Sequence, residues 1–403
     1  MYWKLAWRNL WRNHRRTIIT LTSVMLAVVL ATTMRCLQLG TYDTMINNVV
    51  GYYTGYLQLQ GNDYWDTHSI DKGFTFDAPL QQHLRSIRHI RSFTPRLEAY
   101  VLASSDTKTK SAMVVGTDPA MEDSVTQLGG KLINGRYFSA DDRSVIIAEG
   151  LADVLKLHTG DTVVVLGQGY HGANAAGKYP ISGIVHFGAP ELNKGMIYLP
   201  LKEAQWLFGG DVVTSVVMML DNRNDINGAR HALETGLPEG LTVMDWKEMM
   251  PDLVQAIRAD NSGGLIMAGV LYLIIAFGLF GTFLMMLAER QHEFGILISI
   301  GMRHISIVRM VLLEILLIGV IGTAAGFALS VPVVYWLHEN PIRFTGDAAQ
   351  SFAAYGFEPV MRASLDPSIF TAQAELVLCI TLLLALYPLA RILKLNALKA
   401  TRS

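Results

Sequence analysis

Along this chain the apolar positions follow two different patterns. Four stretches, at 17–39, 263–288, 307–337 and 368–390, are apolar over lengths that suffice to cross a bilayer, since a helix rises about 1.5 Å per residue and needs about 20 residues to span it. Between the first and second stretch the pattern changes to short or alternating apolar runs bounded by Gly, Asp and Pro. The runs GYLQLQ (55–60), SVIIAE (144–149), DTVVVLG (161–167), GMIYLPL (195–201) and TSVVMML (214–220) read as strands. AEGLADVLKLHTGD (148–161) predicts a short helix ending near Gly160, and DWKEMMPDLVQAIRADN (245–261) a helix that feeds into the second span. The expected fold is therefore a membrane protein of four transmembrane helices with a large mixed α+β domain at 40–262, long enough for its own core.

Two further segments are amphipathic. In MYWKLAWRNLWRNHRRT the apolar Trp3, Trp7, Leu10 and Trp11 recur at helical spacing, with Lys4, Arg8, Arg12 and Arg15 on the other side. Residues 1–16 are expected to form an interfacial helix with indoles at headgroup depth and arginines on anionic lipid; a plain extension of the first span is the alternative. The interval 289–306 sits between the second and third spans and carries Phe294, Ile296, Leu297, Ile298 and Ile300 beside Glu289, Arg290, His292 and Glu293. It reads as a helix held at both ends by membrane spans, able to pass a push to them; by composition alone an inert connecting helix carries equal weight.

Charge sets the orientation. Lys4, Arg8, Arg12, Arg15 and Arg16 precede the first span and Arg391, Lys394, Lys399 and Arg402 follow the last, so both termini are expected in the cytoplasm. That puts 289–306 and the tail 391–403 inside, and 40–262 and the loop 338–367 outside. The first span is expected to be retained as an anchor, because it exceeds a signal-peptide core and lacks a small-residue cleavage site. With 51% hydrophobic and 17% charged residues the chain is too apolar for an ordinary soluble enzyme, and a net charge of -1 argues against nucleic acid as partner. Cys36 and Cys379 both fall in predicted spans, so no disulfide framework is expected.

Candidate chemistry is sparse. Gly172 with Gly177-Lys178 matches the spacing of a phosphate-binding loop, but Tyr179 and Pro180 follow where Ser or Thr and a helix are required, so these glycines are expected in a flexible surface loop. No H-E-x-x-H, paired-cysteine or G-x-S-x-G pattern occurs, and neither catalytic nor metal-ligating residues are assigned. Within the spans, Gly319, Gly322 and Gly326 are candidates for close helix packing, either inside the chain or against a second protomer. Arg35 and Glu375 are a candidate charge pair, within or between protomers, and Glu314 is expected to cap or pair with a basic residue near the inner face.

The stretch AERQHEFGILISIGMRHISIVRMVLLEILLIGVIGTAAGFALS resembles the E-R-x-x-E-x-G-x-L-x-x-x-G segment of the FtsX-like permease family of ABC transporters, through Glu289, Arg290, Glu293, Gly295, Leu297 and Gly301. WKLAWRNLWRNHRRTIITL, SVIIAEGLADVLKLHTGDTVVVLG and the closing YPLARILKLNALKATRS are similar to other family segments in the same order, with Leu389 and Asn396 departing from the usual alanine and proline. The resemblance implies a permease whose outside domain has the MacB periplasmic-core form. It also implies a dimer of identical or related chains in a bacterial inner membrane, with the large domain in the periplasm. Two copies of a separate cytoplasmic ATPase, which would hold the ATP and Mg, would dock on Glu289, Arg290, Glu293, Phe294, Gly295, Leu297, Gly301 and Arg303. Force would then pass from that motor to the periplasmic domain. The architecture resembles the lipoprotein-releasing LolC/LolE branch, and the expected role is extrusion of lipoproteins or lipids with a periplasmic acceptor. The alternatives are MacB-like export of peptides or small molecules, or FtsX-like activation of a periplasmic enzyme.

Overall fold

The computed structural model describes residues 2–12, 14–347, 349 and 359–395. The tail residues Lys399 and Arg402, Asn396 of the closing motif, and 350–358 of the second outside connection lie outside the described residues. The chain divides into two compact units, one from 1–43, 257–343 and 360–403, the other from 44–256 and 344–359.

The first unit is helical. An N-terminal helix, Tyr2–Arg12, precedes the first membrane helix, His14–Val49; the second is Pro251–Glu289, the third His304–Glu339 and the fourth Pro367–Leu393. A short linking helix, Gln291–Ser299, joins the second to the third. Four of these helices are long and apolar enough to cross a membrane. They outrun the apolar spans, the first reaching Val49 and the second beginning at Pro251, because a formed helix gains a hydrogen bond with each added residue and needs no lipid to continue. The fourth starts where the Asp366 carboxylate accepts from the Ser368 N–H and Pro367 occupies the first turn.

The third membrane helix is the hub. A Cβ added at Gly322 would stand 2.8 Å from Val24 Cβ, and one at Gly326 2.7 Å from Val28 Cβ, so both glycines admit the first helix. Gly319 faces the fourth helix, with Leu378 Cδ1 at 3.1 Å from such a Cβ. Val24, Ala27 and Val28 share a core with Leu279 and Val377, which ties the first, second and fourth helices together. The Arg35–Glu375 pair is not present within the chain. Arg35 donates instead to Gln38 Oε1 at 2.7 Å and Asn261 Oδ1 at 3.0 Å, and Glu375 is exposed, two positions from buried Gln373 on the fourth helix. Two neutral amide oxygens spare Arg35 the cost of finding a carboxylate across the bundle.

The N-terminal helix is a separate element from the first membrane helix. Thr17 Oγ1 donates to the Leu10 carbonyl at 2.8 Å, although seven residues of straight helix would separate them by about 10.5 Å, so the chain turns sharply between them. Ala6 and Leu10 are buried against Leu317 and Ile318 of the third membrane helix, while Trp3, Trp7 and Trp11 stay exposed.

The second unit holds a ten-stranded sheet. Its strands are β1 (Leu57–Gly61), β2 (Ile90–Ser104), β3 (Thr109–Thr117), β4 (Leu132–Gly135), β5 (Val145–Ala148), β6 (Thr162–Gln168), β7 (Asn174–Val185), β8 (Met196–Pro200), β9 (Ser215–Leu220) and β10 (Leu241–Asp245). The pairs β2–β3, β3–β8, β8–β5, β5–β7, β7–β6 and β6–β2 close a ring, with β3–β8 and β5–β7 parallel. Leu97, Ala99, Val101 and Ala103 alternate along β2 into the core that this ring shares with Val114, Ile147, Val165, Ile181 and Leu199. β9, β1 and β10 extend the sheet from the first half of β2, on the edge that β6 takes along its second half.

Two local expectations change. The helix expected to end near Gly160 is Glu149–Leu155, stopped by Lys156 in the left-handed region, and Gly160 with φ +95 serves the next turn. The loop expected at 172–178 is a tight hairpin: Gly172 turns with φ +78, and Gly177 and Lys178 pair with Val165 and Val164 inside β7. The alternation of small and polar residues in NAAGKYPISGIV lets it lie as a strand against β6.

On the outer face of β2, Arg96 is completely buried and forks onto Glu122 of the helix Pro119–Thr126 at 2.6 and 3.0 Å, with its third nitrogen on the Tyr53 carbonyl at 2.7 Å. Thr117 and Thr126 complete the shell of Glu122. Burial pushes the neighbouring Glu98 carboxyl up, with Arg96 and the hydrogen bond from Tyr64 pulling against it.

Candidate functional site

The segment between the second and third membrane helices is a short helix fastened at three points. Arg290, which interrupts the helices on either side of it, points inward, where its Nη1 lies 2.5 Å from Glu314 Oε2 of the third membrane helix. Asn9 of the N-terminal helix donates to the other oxygen of Glu314 at 2.7 Å. A buried carboxylate costs little only when its oxygens are filled in this way. Arg12 reaches across to Glu293 with both oxygens at 2.6 and 2.7 Å, and Arg290 Nε lies 3.4 Å from the same carboxylate. Burial alone would raise the Glu293 carboxyl, but the hydrogen bond and charge of Arg12 and the charge of Arg290 hold it below the usual carboxylate range.

The third fastening is apolar. Phe294 is buried among Phe283, Met286, Ile307, Val311 and Leu389, and the Arg290 guanidinium stands 5.1 Å from its ring centroid. Leu297 and Ile298 pack on the margin of the same core. The helix ends in two backbone bonds, Gly301 N–H to Ile298 O and Met302 N–H to Leu297 O, with Gly301 at φ +101. That arrangement satisfies the last carbonyls and is open to glycine because it lacks a Cβ. The chain then enters the third membrane helix, whose His304 ring meets the Leu395 carbonyl at 2.9 Å.

These fastenings divide the eight residues that the sequence places at a docking surface. Arg290, Phe294 and Gly295 are buried and Leu297 half-buried, so they hold the helix in place. Glu289, Glu293, Gly301 and Arg303 are on the surface, joined by Ile296 and by Ile300, which is 80% exposed. An exposed isoleucine pair flanked by charge is a surface suited to a protein partner. Asn9 and Arg12 were missed as members of this assembly, since nothing local marks a contact spanning about 300 positions; Glu314, expected to meet a basic residue, does so. Among the described residues no cluster of His, Cys, Asp and Glu could hold a metal ion.

Two family models match the chain, the MacB-like periplasmic core domain over residues 17–235 and the FtsX-like permease C-terminal segment over residues 265–397. It is 26% identical over 243 residues to "Lipoprotein-releasing system transmembrane protein LolC" of Xylella fastidiosa, 58% of each chain. It is 25% identical over 394 residues to "Macrolide export ATP-binding/permease protein MacB" of Bartonella quintana, 88% of this chain and 57% of that one. The match thus spans little more than half the length of either relative. Among solved structures, the periplasmic region of MacB from Actinobacillus actinomycetemcomitans aligns with a TM-score of 0.35 at 16% identity, over 52% of this chain and 94% of that one. With more than half its length under the first model and most of the rest under the second, the chain belongs to the family of permeases that join a MacB-like periplasmic core domain to an FtsX-like C-terminal segment.

Proposed function

We propose that this protein is the permease subunit of an ABC transporter in which a separate cytoplasmic ATPase drives movement of the periplasmic domain. The observation that carries the reading is the linking helix. It is clamped to the N-terminal helix through Arg12–Glu293, to the third membrane helix through Arg290–Glu314, and to the bundle core through Phe294, and it leaves Ile296 and Ile300 outward. A helix held rigidly on one side and apolar on the other can receive a push and hand it to the helices whose chain continues into the second unit. In this reading two permease chains and two ATPase copies form the complex, both termini are cytoplasmic, the domain at 40–262 is periplasmic, and ATP and Mg are held by the ATPase.

The cargo we assign is a lipoprotein or lipid taken from the outer leaflet of the inner membrane and passed to a periplasmic acceptor. Its support is the likeness to the lipoprotein-releasing relative, which spans 243 residues. The second reading, export of a small molecule from the periplasm, is favoured by the longer match to the macrolide exporter, 394 residues. The docking step is tested by copurifying the ATPase with the full-length chain and with Ile300→Asp, Glu293→Lys and Gly301→Trp. Loss of the ATPase from inserted, folded variants supports docking on this helix, and full retention by all three removes it. The cargo is tested by ATP-dependent release of lipoproteins from vesicles holding the assembled complex, against efflux of a macrolide in the same vesicles.

A further inference from the structure

An apolar groove runs between the N-terminal helix and the membrane bundle. Trp7, Leu10 and Trp11 form one wall, Ile18 and Leu21 of the first membrane helix another, and Ile318 and Ile321 of the third close it; its volume is about 200 Å3. The Trp7 and Trp11 rings meet edge to face with centroids 6.1 Å apart, so the indole wall is preorganised. Leu10 anchors this wall on protein, buried with Ala6 against Leu317 and Ile318, while Trp7 and Trp11 are 45% and 62% exposed.

Basic residues adjoin one end of the groove: His14 belongs to its wall, and exposed Arg15 follows it in the chain. Apolar walls continuous with two membrane-spanning helices, indoles at the rim, a histidine in the wall and an exposed arginine next to it in the chain together suit an amphiphile with an anionic head and a hydrocarbon tail. We infer that the groove binds one acyl chain of an anionic phospholipid from the leaflet on the side of the N-terminal helix, with the headgroup phosphate held by His14 and Arg15. The inference depends on the membrane placement of the helices and not on the motor or the cargo. It has a mechanical corollary, because the helix that forms one wall is the one whose Arg12 and Asn9 reach Glu293 and Glu314: an occupied groove braces the clamp on the linking helix.

The test uses the full-length chain in phosphatidylcholine vesicles containing a minor, equal fraction of either phosphatidylglycerol or phosphatidylcholine with brominated chains. The fluorescence of Trp7 and Trp11 is isolated by difference from a Trp7→Phe/Trp11→Phe variant. Brominated phosphatidylglycerol is expected to quench that component several-fold more strongly than the brominated phosphatidylcholine. His14→Gln/Arg15→Gln, two exposed changes of which the second removes a full charge, should cost about fivefold of the preference, and Ile321→Phe, which fills the groove, should weaken quenching by either lipid. Equal quenching by the two headgroups in the unaltered protein means annular lipid only and overturns the inference. A preference that survives the double substitution, or quenching that Ile321→Phe leaves unchanged, overturns it as well.

Discussion

Arg290 and Glu314 lie 2.5 Å apart, 24 positions apart in the chain and both almost fully buried, so the arginine of the linking motif braces the third membrane helix and does not face outward. Removing one member of a buried pair strands the other charge, at a cost of about 3–5 kcal/mol, whereas replacing both with apolar groups is close to neutral. Arg290→Ala is therefore expected to lower the thermal unfolding temperature of the detergent-solubilised protein strongly. Arg290→Met/Glu314→Leu should recover most of the loss. If the double variant melts as low as the single one, the interaction is not a closed pair.

The Arg12–Glu293 clamp behaves differently because both side chains are about half exposed. Exposed pairs are worth about 0.2–1 kcal/mol, so Glu293→Arg should change unfolding by less than about 1 kcal/mol. Under the proposed function its effect appears in coupling, as weaker stimulation of the ATPase, with the charge-swapped Arg12→Glu/Glu293→Arg restoring it. Stimulation that stays low in the swapped pair would show that Glu293 acts by touching the motor and not by holding the N-terminal helix.

The glycines separate by mechanism. At Gly322 a methyl group meets Val24 at 2.8 Å within the bundle, so Gly322→Leu should splay the first and third helices and sharply reduce folded yield. At Gly301 a Cβ meets open space, and only the φ of +101 resists substitution. Gly301→Ala is expected to cost about 1–2 kcal/mol through the backbone alone and still insert. Equal damage from the two changes would contradict the geometry.

What the sequence could show follows from where the information sits. The four membrane helices and the strands β1, β5, β6, β8 and β9 are legible because each is a continuous or alternating apolar run whose partners matter little. β2 is opaque: IRSFTPRLEAYVLAS carries Pro95, Arg96 and Glu98 at positions that are buried in the fold, and such a run reads as strand only once Glu122 is known to fork onto Arg96. The linking helix is legible as a segment, and its apolar and charged residues as a set. Which of them face in is not, because that is decided by Asn9, Arg12 and Glu314, residues remote in the chain.

The Arg96–Glu122 fork makes the same prediction in the second unit, with a control beside it. Arg96→Met leaves Glu122 buried with only Thr117 and Thr126 as donors, and should destabilise by about 3–5 kcal/mol in urea unfolding. Glu98→Gln keeps the partner of Tyr64 and removes a charge that burial disfavours, so it should be neutral or stabilising at neutral pH. A strongly destabilised Glu98→Gln would mean that its charge, not its shape, is needed beside Arg96.

Lys131 supplies the pH dependence. Its Nζ donates to the Thr126 carbonyl and stands 4.6 Å from the Tyr52 ring centroid, and burial lowers its pKa to about 8 against the opposing pull of Glu122 and Asp123. The ordinary lysine value is about 10.4. Between these two values the unfolded chain holds a proton that the folded chain has released, so the unfolded state binds more protons and stability rises with pH. Below about 8 both states are charged and the full penalty of burying the ammonium is present. Urea unfolding of the unaltered protein and of Lys131→Met, compared from neutral pH to about pH 10, should therefore show a difference that shifts in favour of the unaltered protein as pH rises. A constant difference across the range would mean that Lys131 titrates as it does in the unfolded chain, and that the contacts with Thr126 and Tyr52 do not hold it away from water.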